Sequence, residues 1–148
     1  MNFLKNTSCP FDFLMRFEEA GKNLSLLILR LVLAYGFFEP ALTKWRDINA
    51  VGDWFASMNY LLPYLNAYLA AGVEALGVVL LVLGLFTRQI SALLMVVMLV
   101  AITTVHLANG FDAGNNGFEI PFYYFVMLFV LLTHGPGKYS VEKILRQE

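Results

Sequence analysis

Charge is what this sequence of 148 residues has least of. Only 14% of it is Asp, Glu, Lys or Arg, against 59% hydrophobic residues and a mean hydropathy of +0.66. A soluble domain carries roughly a quarter of its residues charged to keep its surface in water, so the composition excludes an ordinary soluble domain. The net charge is −1 and no cluster of Lys and Arg forms a patch, which excludes a nucleic-acid partner held by phosphate contacts. Cysteine is nearly absent. Cys9 stands alone, so an intrachain disulfide, a CxxC redox pair and a cysteine-built metal site are excluded within one chain, and any redox role must borrow a cofactor or a partner. The N-terminal stretch lacks a continuous apolar core and a small-residue cleavage site, and Asp12, Arg16, Glu18 and Glu19 interrupt it, so it does not read as a signal peptide.

What the sequence does have is long apolar runs. Residues 67–106 hold two of them, joined by Phe86-Thr87-Arg88-Gln89. Each is about 20 residues, the length of helix that crosses a bilayer, so this stretch reads as a membrane hairpin. With the runs on either side, the expected fold is all-α: an integral membrane four-helix bundle with short interfacial segments and spans at about 24–42, 67–85, 90–107 and 120–134. The bundle domain is expected over 24–143, after an N-terminal cytoplasmic or interfacial segment 1–23 and before a cytoplasmic tail 144–148. In the first segment Phe11, Leu14 and Phe17 fall at helical spacing, as in a helix lying on the membrane surface.

Local chemistry marks the ends. Pro40 cannot donate to the carbonyl of Gly36, so the first helix is expected to kink or stop there. Residues 43–66 are rich in Trp45, Trp54, Tyr60 and Tyr64, which suits a connection at headgroup level, with one short helix through Gly52, Trp54, Phe55 and Met58. Residues 108–117 have the glycine and asparagine density of irregular backbone, and Pro121 fits the first turn of the fourth helix. From 121 to 134 that helix rises about 21 Å, short of the roughly 30 Å hydrocarbon core, so the preceding loop is expected to dip inward rather than the bilayer to thin.

Lys5, Arg16, Lys22, Arg88, Lys138, Lys143 and Arg146 fall on one side of these spans, and only Lys44 and Arg46 on the other. The excess of basic residues predicts that both termini are cytoplasmic, in a multi-pass protein of the bacterial inner membrane.

Ionisable residues inside spans are costly, which makes each a candidate site. With inner helix ends level, Arg30 lies about 9 Å up, Glu74 about 18 Å, Glu39 about 22 Å and His106 about 24 Å, while Glu119 arrives with the last loop. Glu74, His106, Glu39, Arg30 and Glu119 are therefore the candidate intramembrane polar site, with Glu74 and His106 as its central pair. Each also has a structural reading. Glu74 protonated, or bonded to Thr103 or Arg30, would only lock the bundle; Arg30 would snorkel to lipid phosphates; Glu39 would pair with Lys44 at the interface. His106 is a weak metal candidate, and no metal site is predicted. Met95 and Met98 read as packing rather than a copper path, and His134 as a helix-end residue. Gly77 and Gly84, on a stripe with Ala67, Ala70 and Glu74, are expected to pack against a neighbouring span.

Arg30-Leu31, Gly36, Lys44, the run GVEALGVVLLVLGLFTR over 72–88, His106 and GPGKYSVEK over 135–143 together resemble the DoxX family of small four-helix bacterial membrane proteins. Trp54-Phe55, Pro63 and the AITTVH end of the third span are most similar to the DoxX-like subunit found with maturation of copper-binding peptides. The family resemblance implies electron transfer to quinone or assembly of a redox complex, with quinone as the cofactor and a soluble or membrane redox partner. Two classes of function follow: an accessory redox subunit whose outer vestibule binds a quinone headgroup, or a non-catalytic scaffold for a partner enzyme or peptide-maturation system. A small-solute carrier ranks third, because only Pro40 breaks a span and carriers show paired broken helices. The lipid bilayer is the one certain partner, and a homo-oligomer is compatible with the sequence.

Overall fold

The computed structural model describes the backbone of residues 9–145 and the side chains of residues 18–145. The chain is an all-α membrane bundle. Its elements are α1 (Cys9–Arg46), α2 (Ile48–Ser57), α3 (Pro63–Leu83), α4 (Thr87–Ala101), α5 (Glu119–His134) and the short α6 (Val141–Leu145). A π-helical turn, Ile102–His106, and a 3-10 turn, Leu107–Asn109, extend α4. Three stretches, Glu18–Arg46, Pro63–Leu83 and Thr87–Asn109, are long and apolar enough to cross a bilayer; Glu119–His134 is the shorter fourth. The backbone of residues 9–23 is one helix with the first span, and the stripe of Phe11, Leu14 and Phe17 lies outside the described side chains.

α1 packs on α3, α3 on α4, α4 on α5, and α5 closes back on α1, while α2 lies against α3. Leu33, Phe37, Leu81, Leu94, Leu128 and Leu131 fill the centre and are almost wholly buried. Outside them, Ile28, Leu69, Val79, Leu93, Val96 and Phe129 remain exposed, as expected of helices whose solvent is hydrocarbon.

α1 and α3 begin earlier than expected, at Cys9 and Pro63 rather than about 24 and 67, and two further boundaries differ for local reasons. Pro40 does not end the first helix, which runs on to Arg46. Proline removes one bond to the Gly36 carbonyl, but membrane helices tolerate that where neighbours pack around the gap, and here the Tyr124 ring fills the space Gly36 leaves beside its missing Cβ. The hairpin turn lies at Gly84–Phe86, so Thr87 to Gln89 form the first turn of α4. Gly84 ends α3 in the left-handed region at φ 65°, and Leu85 N–H reaches back to the Leu80 carbonyl at 3.0 Å, a glycine-ended cap that stops the helix two residues early.

Other ends follow their residues. Asp47 caps α2, its Oδ1 accepting from Ala50 N–H at 3.0 Å, and Pro63 opens α3. Thr103 and Thr104 donate back to the carbonyls of Leu99 at 2.9 Å and Val100 at 2.7 Å, competing with the helical ladder where α4 widens into its π turn.

Candidate functional site

At the end of the bundle where α1 finishes and α3 and α5 begin, the helices border a cavity of about 940 Å³, walled mainly by α1, α4 with its π turn, and the start of α5. Its most unusual occupants are paired charges. Lys44 Nζ lies 2.7 Å from Glu74 Oε2, and the two side chains are 23% and 3% exposed. Glu74 belongs to the buried face of α3, which runs Ala67, Ala71, Glu74, Gly77, Leu81. Ala67 and Ala71 are fully buried, and their small side chains let α1 come close enough for Lys44 to reach across. Next to it, Trp45 Nε1 donates to the Ala71 carbonyl at 3.1 Å and fixes the last turn of α1 on α3.

His106 also lines the cavity, brought there by the π turn. Its Nδ1 lies 2.8 Å from the Asn116 carbonyl, an acceptor only, so Nδ1 is the donor of this bond. Glu74 and His106 thus share a cavity, and no hydrogen bond joins them among the described residues. Glu39 lines the same space, exposed and without an ion pair among the described residues. The expected Glu39–Lys44 contact does not form: five residues of helix turn Lys44 about 140° away from Glu39 and toward Glu74.

Arg30 and Glu119 lie elsewhere. Arg30 is fully buried at the opposite end of the bundle, about 21 Å along α1 from Lys44. It does not snorkel. Its Nη1 reaches the Leu81 carbonyl at 3.5 Å and its Nη2 donates to the Tyr139 carbonyl, supplying donors to the end of α3 and the 135–140 segment. Gly84 makes that possible, because a Cβ there would collide with the guanidinium. Arg88 acts similarly, donating from Nη2 to the Thr133 carbonyl at 3.3 Å near the end of α5. Glu119 organises the loop before α5: its Oε2 accepts from Ala113 N–H at 3.0 Å and its Oε1 from the Tyr123 hydroxyl at 2.9 Å. Among the described residues no three His, Cys, Asp or Glu side chains cluster as metal ligands would.

Lys44, Tyr60 and Tyr124 are cavity residues outside the expected site: Lys44 was expected only as an interfacial partner of Glu39 and a family-motif residue, and Tyr60 only as a headgroup-level aromatic. For Lys44 a signal existed. The buried stripe of α1 runs Leu26, Arg30, Leu33, Phe37, Ala41, and continuing it through Pro40 by helical steps lands on Lys44.

The DoxX family profile matches residues 25–107, more than half of the chain, including Arg30, Lys44, Glu74, Arg88 and His106. This chain belongs to the DoxX family. It is 33% identical over 140 residues to an uncharacterized protein of Haemophilus influenzae, covering 89% of this chain and 90% of that one. It is also 33% identical over 97 residues, 66% of this chain and 70% of the other, to the Bacillus subtilis protein named "Putative oxidoreductase CatD". A second uncharacterized Haemophilus influenzae protein is 33% identical over 129 residues, with 79% and 87% covered. No solved structure matches the chain. In this DoxX chain the matched motif divides by place: Arg30, Gly84 and Arg88 tie helix ends together at one end, while Lys44, Glu74 and His106 face the cavity at the other.

Proposed function

We propose that this DoxX protein is the membrane subunit of a redox system and that its outer cavity holds the headgroup of a quinone-type carrier. The observation that carries the reading is the Lys44–Glu74 pair set into the wall of a cavity whose surface is mostly apolar. A buried ion pair is poor value for stability alone, because desolvation offsets most of its attraction. Lys44 stays partly open to the cavity, where its side-chain nitrogen can donate to a bound oxygen while Glu74 keeps it aimed. The relative named as an oxidoreductase supports the same class of function.

The residues fit such a group. About 940 Å³ lies within the range of roughly 300 to 1,000 Å³ typical of small-molecule sites, and donors at Lys44 and Tyr124 stand among apolar walls. A quinone bound there would supply two-electron, two-proton chemistry. Lys44 would hold the ring oxygen, Tyr124 would add a second donor from α5, and His106 would exchange protons at the rim. The reductant comes from a soluble or membrane partner. The protein lies in the inner membrane with both termini cytoplasmic, so the cavity faces the outer side.

The test is purification from native membranes, solvent extraction and mass spectrometry. A quinone recovered with the protein and lost from Lys44→Met supports the reading. An empty bundle that co-purifies with a soluble enzyme in the same yield for Lys44→Met favours a scaffold instead.

A further inference from the structure

The cavity is unevenly built along the membrane normal. Of its ionisable residues, Lys44, Glu39, Arg46 and His106 lie toward the ends of α1 and the π turn, while Glu74 is deeper, about 14 Å along α3 from Leu83. At the depth of Glu74 the lining includes Val96, about 14 Å along α4 from Thr87 and near the middle of a roughly 30 Å hydrocarbon core, and lower on α1 it includes Tyr35.

Its two sides are closed to different degrees. Toward the water, Tyr60 forms a strap: its hydroxyl donates to Thr104 Oγ1 at 2.7 Å, Thr104 donates on to the Val100 carbonyl at 2.7 Å, and its ring stacks on Phe55 at 4.9 Å. Asn59 and Leu62, at φ 59° and 56°, set the tight turns on either side of Tyr60. Toward the lipid the wall is incomplete. Tyr35 and Val96 line the cavity yet are 84% and 60% exposed, and at their depth the surroundings are hydrocarbon.

The formal charges along the lining cancel, Lys44 and Arg46 against Glu74 and Glu39. That balance favours an uncharged polar group over a phosphate or carboxylate headgroup.

We infer that the cavity is loaded sideways from the bilayer and takes a membrane-dissolved molecule with an uncharged polar head and a long apolar chain. The head rests by Lys44 and the chain leaves past Tyr35 and Val96. The inference deepens the redox reading by naming the ligand's class and route, and the route stands on the geometry alone.

The test uses cysteine labelling of the full chain in liposomes, with Cys9→Ser as background and the probe cysteine placed on the cavity floor, near the depth of Val96, as Val97→Cys or, should that variant fold poorly, Phe38→Cys. Each floor rate is compared with an exposed loop position, Asn115→Cys. A bilayer-soluble maleimide should label the floor readily, whereas a membrane-impermeant charged thiosulfonate should lag by more than about tenfold relative to the loop, since a fixed charge is costly to carry through apolar surroundings. Decylubiquinone should slow floor labelling, and the same ring without its chain should not. Equal labelling of floor and loop by the impermeant reagent overturns the route. Equal protection by the chainless ring, or none by any probe, overturns the ligand class. Protection by monoolein but not by decylubiquinone supports the route and class while removing the quinone reading.

Discussion

Lys44 and Glu74, thirty residues apart in the chain, meet at 2.7 Å because α1 continues through its proline. A helix ending at Pro40 would have left Lys44 in the connection and Glu74 facing an apolar bundle without a cation.

That dependence is measurable. Lys44→Met or Glu74→Leu alone leaves one charge buried and should destabilise the detergent-solubilised protein by about 3 to 5 kcal/mol in denaturant unfolding, whereas the double substitution should recover most of the loss. If the double variant is stable yet carries no quinone, the pair serves binding; if it is stable and still carries quinone, the pair serves only the fold.

Packing along α3 separates two faces. At Gly77 even a Cβ would come within 2.8 Å of Leu94 Cδ1, while Leu83 is 44% exposed. Gly77→Leu should therefore cost about 1 to 3 kcal/mol or more by overpacking, and Leu83→Ala far less. Similar melting temperatures for the two variants would mean that α3 does not pack on α4 as described.

At Gly84, both backbone and neighbours resist a side chain. Gly84→Ala adds a methyl against the Arg30 guanidinium at a left-handed φ, where the backbone penalty alone is about 1 to 2 kcal/mol. Thermal stability should fall clearly, and amide exchange should rise first in the 135–140 segment that Arg30 holds through the Tyr139 carbonyl.

Orientation is tested by reporter fusions. Those after Asn59 and Asn115 should report the outer compartment and those after Arg88 and Arg146 the cytoplasm. A cytoplasmic signal from Asn115 would reverse the proposed arrangement and put the cavity on the inner side.

His106 holds the last loop through Nδ1 and also lines the cavity. His106→Gln can still donate to the Asn116 carbonyl, so loop protection in hydrogen exchange should survive while quinone-dependent turnover falls and its pH profile changes shape. Unchanged turnover would make His106 a loop anchor only.

The bundle itself was legible because hydropathy over 20 residues reports helix and membrane together. The spans expected at 67–85 and 90–107 correspond to α3 and to α4 with its extensions, and the short helix expected around Gly52 to α2. Gly84 misled by two residues, since glycine reads equally as a packing position and as a left-handed stop, and here it is both. Lys44 was hidden by the rule that proline ends helices, which holds in water better than in a packed membrane bundle. Arg30 was hidden because its partners are main-chain carbonyls, and the sequence does not reveal which carbonyls lack a donor.

The π turn at Ile102–His106 sets an angle as well as a shape. A π turn carries about one residue more than an α turn, so everything beyond it is out of phase with the rest of α4 by roughly 100°. The face that His106 presents is therefore decided a turn earlier, where Thr103 and Thr104 bond back to Leu99 and Val100. Removing one residue there would leave a continuous apolar helix and aim its last turn elsewhere, so that a chain with every cavity residue still in its sequence would have lost one of them from the wall.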